Sequence, residues 1–205
     1  MSRILSVAEK PSVAKELARI IGRETHVPSR SMHSPYNRIF DIPSCTFMGK
    51  PASMMMTSVT GHMMEVDYQG MYRNWNCPLL DLFDAPIAKQ VKHDSMPIER
   101  NLVELARQCN VLLLWLDCDL EGENIAFEVI SVCLKANPRM DVYRARFSAL
   151  IDRDIHRAMQ YPERPNRNMS DAGDARQEID LRTGAVQDIS KNPELQKQYN
   201  IQYGR

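Results

Sequence analysis

The sequence predicts an α/β fold: a doubly wound, mostly parallel sheet with helices on both faces, followed by a helical extension. Residues 112–116 form an uninterrupted apolar run of strand length, which is typical of a strand buried on both faces. Apolar pairs then recur every four residues after Glu123, which indicates a helix. Strand and helix patterns alternate along residues 4–160, and such alternation favours parallel strands joined by crossover helices.

The chain opens with a predicted strand and helix. Residues 4–8 are an apolar run, and residues 13–21 have helical spacing, with Ser12 as the predicted N-cap and Gly22 as the predicted end. Glu9 therefore follows the first strand directly, at the carboxyl end of the sheet, where open α/β folds bind ligands. The alternative for Glu9 is a carboxylate that only stabilises the start of the helix.

The next part of the chain has weaker signals. Residues 23–50 are polar and contain three prolines, so we predict a surface insertion with one arm of a hairpin inside it. Residues 54–59 form the returning strand, and His62 after it could face the same crevice as Glu9. Residues 65–97 contain scattered aromatic residues and prolines, which suggests an irregular connection.

The second half of the sequence contains one more predicted strand and the predicted domain boundaries. Residues 142–147 alternate between apolar and polar types, which places Arg146 on the polar face of a strand. A helix and a proline-containing linker follow. We predict a first domain over residues 1–160, the start of a helical domain over residues 161–185, and a divergent, disordered tail over residues 186–205.

Three acidic residues directly follow the buried strand of residues 112–116. Asp117 and Asp119 are two residues apart and point to the same side, while Glu121 lies where the chain turns into a helix. Converging carboxylates repel one another unless a cation lies between them, and oxygen ligands favour Mg²⁺ or Ca²⁺ over zinc. The sequence therefore predicts a metal site, with a solvated loop as the alternative.

Composition excludes several classes of protein. The formal net charge is zero, which argues mildly against a free-standing nucleic-acid binder. The five cysteines are odd in number and lack C-x-x-C spacing, so we expect neither a disulfide framework nor a zinc ribbon, and a reducing compartment fits. No stretch approaches the length of a membrane span, and the N-terminus lacks the apolar core of a signal peptide.

A Glu after the first strand and a later D-x-D would meet across the crevice of a doubly wound sheet. This arrangement resembles the Toprim domain of topoisomerases, bacterial-type primases and some nucleases. The longer motifs resemble the type IA DNA topoisomerases over about residues 3–185, and the N-terminal Toprim region of eukaryotic topoisomerase III most of all. These motifs are SVAEK at 6–10, MTSVTGH at 56–62, DCDLEGEN at 117–124, RARFS at 144–148 and DARQEIDLRTGA at 174–185.

The resemblance implies Mg²⁺-dependent cleavage and rejoining of a DNA strand through a 5′-phosphotyrosine link. By that likeness Asp117 and Asp119 bind Mg²⁺ and Glu121 supports them. Glu9 would donate a proton to the departing 3′-oxygen and later remove it, and Lys10 would contact the scissile phosphate. The resemblance also implies four residues that contact single-stranded DNA, namely Arg176, Asp180, Arg146 and His62.

The sequence departs from the family pattern in three places. None of the seven tyrosines lies in the Ser-Tyr-Pro-Arg context expected of the nucleophile, so we expect this chain to be truncated and inactive alone. Ser148-Ala149-Leu150 stands where the family has Ser-Glu-Ile, and the sequence after Ala185 diverges. Alternatives are a Toprim nuclease or primase-like phosphotransferase, and a non-catalytic fragment that binds DNA or a partner.

The resemblance also implies a cellular setting. It suggests a nuclear protein, with mitochondrial forms, that acts in DNA recombination and repair through relaxation or decatenation. The expected partners are single-stranded DNA, a RecQ-type helicase and an OB-fold accessory protein, and no membrane.

Overall fold

The computed structural model describes residues 2–25, 27–74 and 77–191. It has the predicted α/β architecture, with a mostly parallel central sheet flanked by helices. The eight strands are β1 Ser2–Ala8, β2 Ser29–Arg30, β3 Ile39–Phe47, β4 Lys50–Ser58, β5 Met64–Tyr68, β6 Ile87–Val91, β7 Val111–Trp115 and β8 Asp141–Arg144. The five α-helices are α1 Pro11–Gly22, α2 Met96–Ala106, α3 Leu120–Ala136, α4 Asp152–Gln160 and α5 Arg167–Lys191.

Six strands form the main sheet in the order β2-β3-β4-β1-β7-β8. β1 is parallel to both β4 and β7, and β7 is parallel to β8, whereas β3 runs antiparallel to β4. The chain leaves β1 toward one side of the sheet and later returns on its other side as β7. The strand order therefore reverses at β1, and the carboxyl ends of four parallel strands lie along one edge.

Helices cover the sheet because strand side chains alternate between its faces. On one face, Ile4, Met56 and Trp115 pack with buried residues of α1 and α4. Buried residues of α2 and α3 lie outside this cluster, and these two helices contact each other. Trp115 is fully buried and donates its indole N–H to Ser6 Oγ at 2.8 Å, so its one polar atom is satisfied.

The described chain divides into two compact units. The first contains residues up to 63 and residues 91–173, and the second contains residues 64–90 and the chain from residue 174 onward. The second unit has its own small core, in which Tyr68 and Leu82 pack with Ala185. The predicted domain boundaries at residues 160 and 185 stay predictions. No helix in the described ranges is long and apolar enough to cross a membrane.

Several local expectations differ from the structure. Helix α1 has Lys10 rather than Ser12 at its N-cap, because Pro11 begins the helix with a backbone that lacks an N–H. The segment 23–50, predicted as a surface insertion, contributes β2 and β3 to the main sheet, and β3 forms the predicted hairpin with β4. The predicted tail begins as helix, since α5 continues to Lys191, and residues 192–205 lie outside the described residues.

Two further elements also differ. Helix α3 begins at Leu120, so Glu121, predicted to lie where the chain turns into a helix, is already inside the helix that Asp119 caps. The stretch predicted as an irregular connection contains β5 and β6, which pair as a two-stranded sheet.

Candidate active site

Glu9 and Asp117 lie side by side at the carboxyl edge of the sheet. Each follows a parallel strand, and β1 pairs with β7 so that Ala8 is opposite Trp115. The backbone N–H of Glu9 donates to Trp115 O at 3.2 Å, and the backbone N–H of Asp117 donates to Glu9 Oε2 at 3.1 Å. The Glu9 side chain is only 14% exposed. The structure therefore brings together the acid of the first strand and the first acid of the D-x-D motif.

Asp119 is the N-cap of α3. Its backbone is extended, and its Oδ1 accepts a hydrogen bond from the Gly122 N–H at 2.7 Å, which is the geometry of an N-cap. Asp117, Cys118 and Asp119 are all exposed. Within the described residues the Asp117 carboxylate makes no hydrogen bond or ion pair with the protein, so it is open to a ligand.

Gly122 allows the turn between β7 and α3 to close tightly. A Cβ atom at this position would lie 2.1 Å from Asp117 O, 2.8 Å from Asp117 C and 3.0 Å from Asp117 N. All three atoms belong to the backbone, so a side chain cannot be accommodated by rotating a neighbour. The acid-bearing turn therefore depends on a glycine here.

A buried ion pair between Arg144 and Glu123 supports the turn between β7 and α3. Arg144 at the end of β8 is fully buried, and its Nε donates to Glu123 Oε2 at 2.9 Å. Its guanidinium also donates to Leu116 O at 3.2 Å and to Asp117 O at 3.0 Å. Glu123 Oε1 accepts from the Asn166 N–H at 2.6 Å. Each charged group is thus hydrogen-bonded, which such deep burial requires.

His62 enters the edge of the site from the end of β4. Its Nδ1 lies 3.0 Å from Glu128 Oε1, and Glu128 Oε2 accepts from the Met63 N–H at 2.8 Å. On its other side, His62 Nε2 lies 3.8 Å from Glu121 Oε1. The buried carboxylate of Glu128 on α3 therefore fixes the imidazole, while the largely exposed Glu121 lies at its outer nitrogen.

The remaining predicted residues lie in different places. The exposed Lys10 side chain has its Nζ 3.7 Å from Glu9 Oε1. Arg146 follows β8, at the same edge of the sheet as the acids, with its Nε 2.6 Å from Glu163 Oε2. Arg176 and Asp180 are exposed on α5 in the second unit, where Arg176 Nε lies 3.9 Å from Asp180 Oδ2.

The carboxylate oxygens of this turn suit a magnesium ion whose coordination is completed by water and by a bound substrate. Over residues 2–25, 27–74 and 77–191 there is no group of three or more His, Cys, Asp or Glu side chains placed to hold a metal. Mg²⁺ in enzymes is usually bound by one or two carboxylates together with water and substrate phosphates. Asp117 and Asp119 fit that pattern, because both are exposed carboxylates on one short turn.

Sequence reasoning missed the residues that support the acids. Glu123, Glu128 and Arg144 are charged yet almost completely buried, and each bonds to a residue distant in the chain. A signal existed for Glu128, because it interrupts the apolar face of α3 at helical spacing from Ile125 and Val132.

Comparisons with known proteins agree with this architecture. The chain is 51% identical over 183 residues to DNA topoisomerase 3-alpha of Arabidopsis thaliana, which covers 89% of this chain and 20% of that protein. It is 39% identical over 185 residues to DNA topoisomerase 3-alpha of Homo sapiens, covering 90% of this chain and 18% of that protein. The chain thus spans about a fifth of the length of these relatives, and the predicted resemblance to topoisomerase III is confirmed.

A solved structure supports the fold. Full-length topoisomerase I from Thermotoga maritima matches with a TM-score of 0.53 at 20% identity, over 86% of this chain and 24% of that one. The family model of the Toprim domain matches residues 4–150, which include the strand ends that carry Glu9, His62, Asp117 and Arg146. The chain therefore belongs to the Toprim domain family.

Proposed function

We propose that this chain supplies the metal-binding and proton-transfer part of a type I DNA topoisomerase, an isomerase that cleaves and rejoins one DNA strand. The contact between Glu9 Oε2 and the Asp117 N–H at 3.1 Å carries the proposal. It joins the acid needed at the leaving oxygen to the carboxylate needed at the metal. The relatives that share 39–51% identity are DNA topoisomerases 3, which supports DNA as the substrate.

Asp117 and Asp119 are the proposed ligands of Mg²⁺, with Glu121 in support. The ion would supply positive charge next to the DNA phosphates. Asp119 keeps one carboxylate oxygen for this purpose while its Oδ1 caps α3. Glu121 is exposed and can turn toward the ion, although here its carboxylate lies nearest to His62.

Glu9 and Lys10 are the proposed reactive pair. Glu9 is held by the Asp117 N–H and is mostly shielded from solvent, so it can give a proton to the departing 3′-oxygen and take it back on rejoining. Lys10 is a flexible ammonium group beside Glu9 that can contact the scissile phosphate. His62, Arg146, Arg176 and Asp180 are the proposed contacts to single-stranded DNA.

We further propose that the isolated chain of 205 residues does not relax supercoiled DNA, because none of its tyrosines has the expected nucleophile context. Recombination and repair in the nucleus, with a RecQ-type helicase and an OB-fold protein as partners, complete the proposed role. Metal-dependent nicking by the isolated chain would favour a Toprim nuclease instead.

Calorimetric titration with Mg²⁺ tests the metal site. An Asp117→Asn/Asp119→Asn variant should lose most of the affinity for Mg²⁺ while it keeps the fold, because Asn is as good an N-cap as Asp. The control is Asp152→Asn/Asp154→Asn, which removes two carboxylates of the same spacing from the start of α4. Equal affinity of the wild type and the Asp117/Asp119 variant would refute the proposed metal site.

A further inference from the structure

Arginine is concentrated in the segment of the first unit that forms and follows β8. Residues 139–167 contain seven arginines and no lysine, against four acidic residues. The planar guanidinium binds phosphate through two parallel hydrogen bonds, which an ammonium group cannot do. Arg144 is buried in its pair with Glu123, so only the solvent-accessible arginines of this segment can reach a phosphate. The seven arginines are Arg139, Arg144, Arg146, Arg153, Arg157, Arg164 and Arg167.

A cavity of about 340 Å³ lies between the loop after β8 and helix α4. Its lining includes Arg146, Ser148, Arg157, Tyr161 and Glu163. This volume is at the lower end of the range for small-ligand sites, which begins at about 300 Å³. The lining joins two cations, a hydroxyl group and an aromatic ring, the groups that a phosphate, a sugar and a base would contact, and it also contains the carboxylates of Asp154 and Glu163.

Arg146 has unused hydrogen-bonding capacity in this cavity. Its Nε forms an ion pair with Glu163 Oε2 at 2.6 Å, but the side chain is 35% exposed and its terminal guanidinium nitrogens make no hydrogen bond within the described residues. Arg157 has no ion pair within the described residues, so its charge is available as well.

Tyr161 provides an aromatic face beside these cations. Its side chain is among the most exposed of the large apolar ones at 73%, and its backbone N–H donates to Arg157 O at 2.9 Å, which fixes the residue at the end of α4. Stacking of a base on an aromatic side chain contributes about 1–3 kcal/mol and tolerates any base.

The cavity is connected to the strand that carries the acids. The Ala145 N–H donates to Leu114 O at 2.9 Å, and the Phe147 ring packs on Trp115 with 5.8 Å between the ring centroids. Both contacts are with β7, which leads directly into Asp117. A DNA strand bound in the cavity would therefore run along the edge of the sheet at which Asp117 lies.

We propose that this cavity is a subsite for one nucleotide of single-stranded DNA, with its phosphate on Arg146 and Arg157 and its base on Tyr161. The inference rests on the proposed function in that DNA is the ligand, and it adds a site that needs no metal. Glu163 then acts as a competitor, because its carboxylate occupies the position of the phosphate beside Arg146. The Glu163 backbone bonds to Arg144 in both directions at 2.8 Å, so its side chain can change without loss of that pairing.

Fluorescence anisotropy of a labelled oligothymidylate, with EDTA present, tests the subsite in the full chain. Arg146→Gln and Tyr161→Ala should each weaken binding roughly tenfold, as loss of a phosphate contact or a stacked base predicts. Glu163→Gln should strengthen binding, an effect that damage to the fold would not produce. Arg139→Gln is the matched control, since Arg139 is exposed just before β8 and is absent from the cavity lining.

The outcomes separate the subsite from the metal site. If the wild type binds and the Arg146 and Tyr161 variants bind equally well, the subsite is refuted while the proposed metal site stands. If Glu163→Gln binds no more tightly than the wild type, or the wild type does not bind, the subsite is also refuted. Weakened Arg146 and Tyr161 variants beside an unchanged Mg²⁺ affinity of the Asp117/Asp119 variant would refute only the metal site.

Discussion

The tight turn at Gly122 gives a prediction that opposes ordinary helix preferences. Within a helix, replacing Gly by Ala normally stabilises by up to about 1 kcal/mol. At Gly122, however, the new methyl group would lie 2.1 Å from Asp117 O, and this separation has to grow to at least 3.0 Å. The atom that must move is backbone, and it also accepts a hydrogen bond from Arg144 Nη2 at 3.0 Å.

The expected magnitude follows from these competing effects. Overpacking costs about 1–3 kcal/mol, and loss of a hydrogen bond from a charged group costs about 1.5–3 kcal/mol. The higher helix propensity of Ala offsets no more than about 1 kcal/mol of this loss. We therefore expect Gly122→Ala to lower the free energy of unfolding by about 2–4 kcal/mol and to weaken Mg²⁺ binding, because Asp117 is displaced with its carbonyl.

Urea unfolding followed by far-UV circular dichroism measures the effect. Gly184 on α5 provides the matched control, because a Cβ there would have no atom within 4 Å. Gly184→Ala should be neutral or stabilising by up to about 1 kcal/mol. If Gly122→Ala proves as stable as Gly184→Ala and binds Mg²⁺ like the wild type, the reasoning about the turn is wrong.

Two further predictions concern buried ionisable groups. Glu123→Gln should lower the free energy of unfolding in urea by about 3–5 kcal/mol, because it leaves Arg144 charged and buried. Asp171→Asn, in the exposed pair with Arg167, should lower it by less than about 1 kcal/mol. Equal losses of stability in the two variants would contradict this prediction. Burial raises the pKa of Cys109 and Cys133 to about 12 from 9.0, so the native state keeps protons that the unfolded chain releases. The free energy of unfolding should thus fall as pH rises from about 9 toward 12, by up to about 1.4 kcal/mol per pH unit for each thiol. A Cys109→Ala/Cys133→Ala variant should show a flatter dependence, and an unchanged slope would count against the effect.

Local patterns predicted much of the main sheet. The apolar run before Asp117 forms β7, and the run before Glu9 forms β1. Strands that are apolar on both faces are buried in the centre of a parallel sheet that helices cover on both sides. Their adjacency followed from topology, since carboxyl ends of parallel strands meet at one edge. The edge strand β2 was harder to predict, because its two residues are assigned to the sheet by their pairing with β3 rather than by a pattern in their own sequence.

The sequence by itself determined the α/β class, the acids at the strand ends and their resemblance to a Toprim site. Only the tertiary structure decided which charges support those acids. Glu123 and Arg144 are separated by 21 residues, and nothing local marks them as a buried pair that holds the carbonyl of Asp117. Asp119 could be recognised as an acid, but its hydrogen bond to Gly122 depends on the close approach of that glycine to Asp117. Short-range periodicity specifies elements, whereas the pairing of buried charges is fixed only when distant segments pack and exclude water.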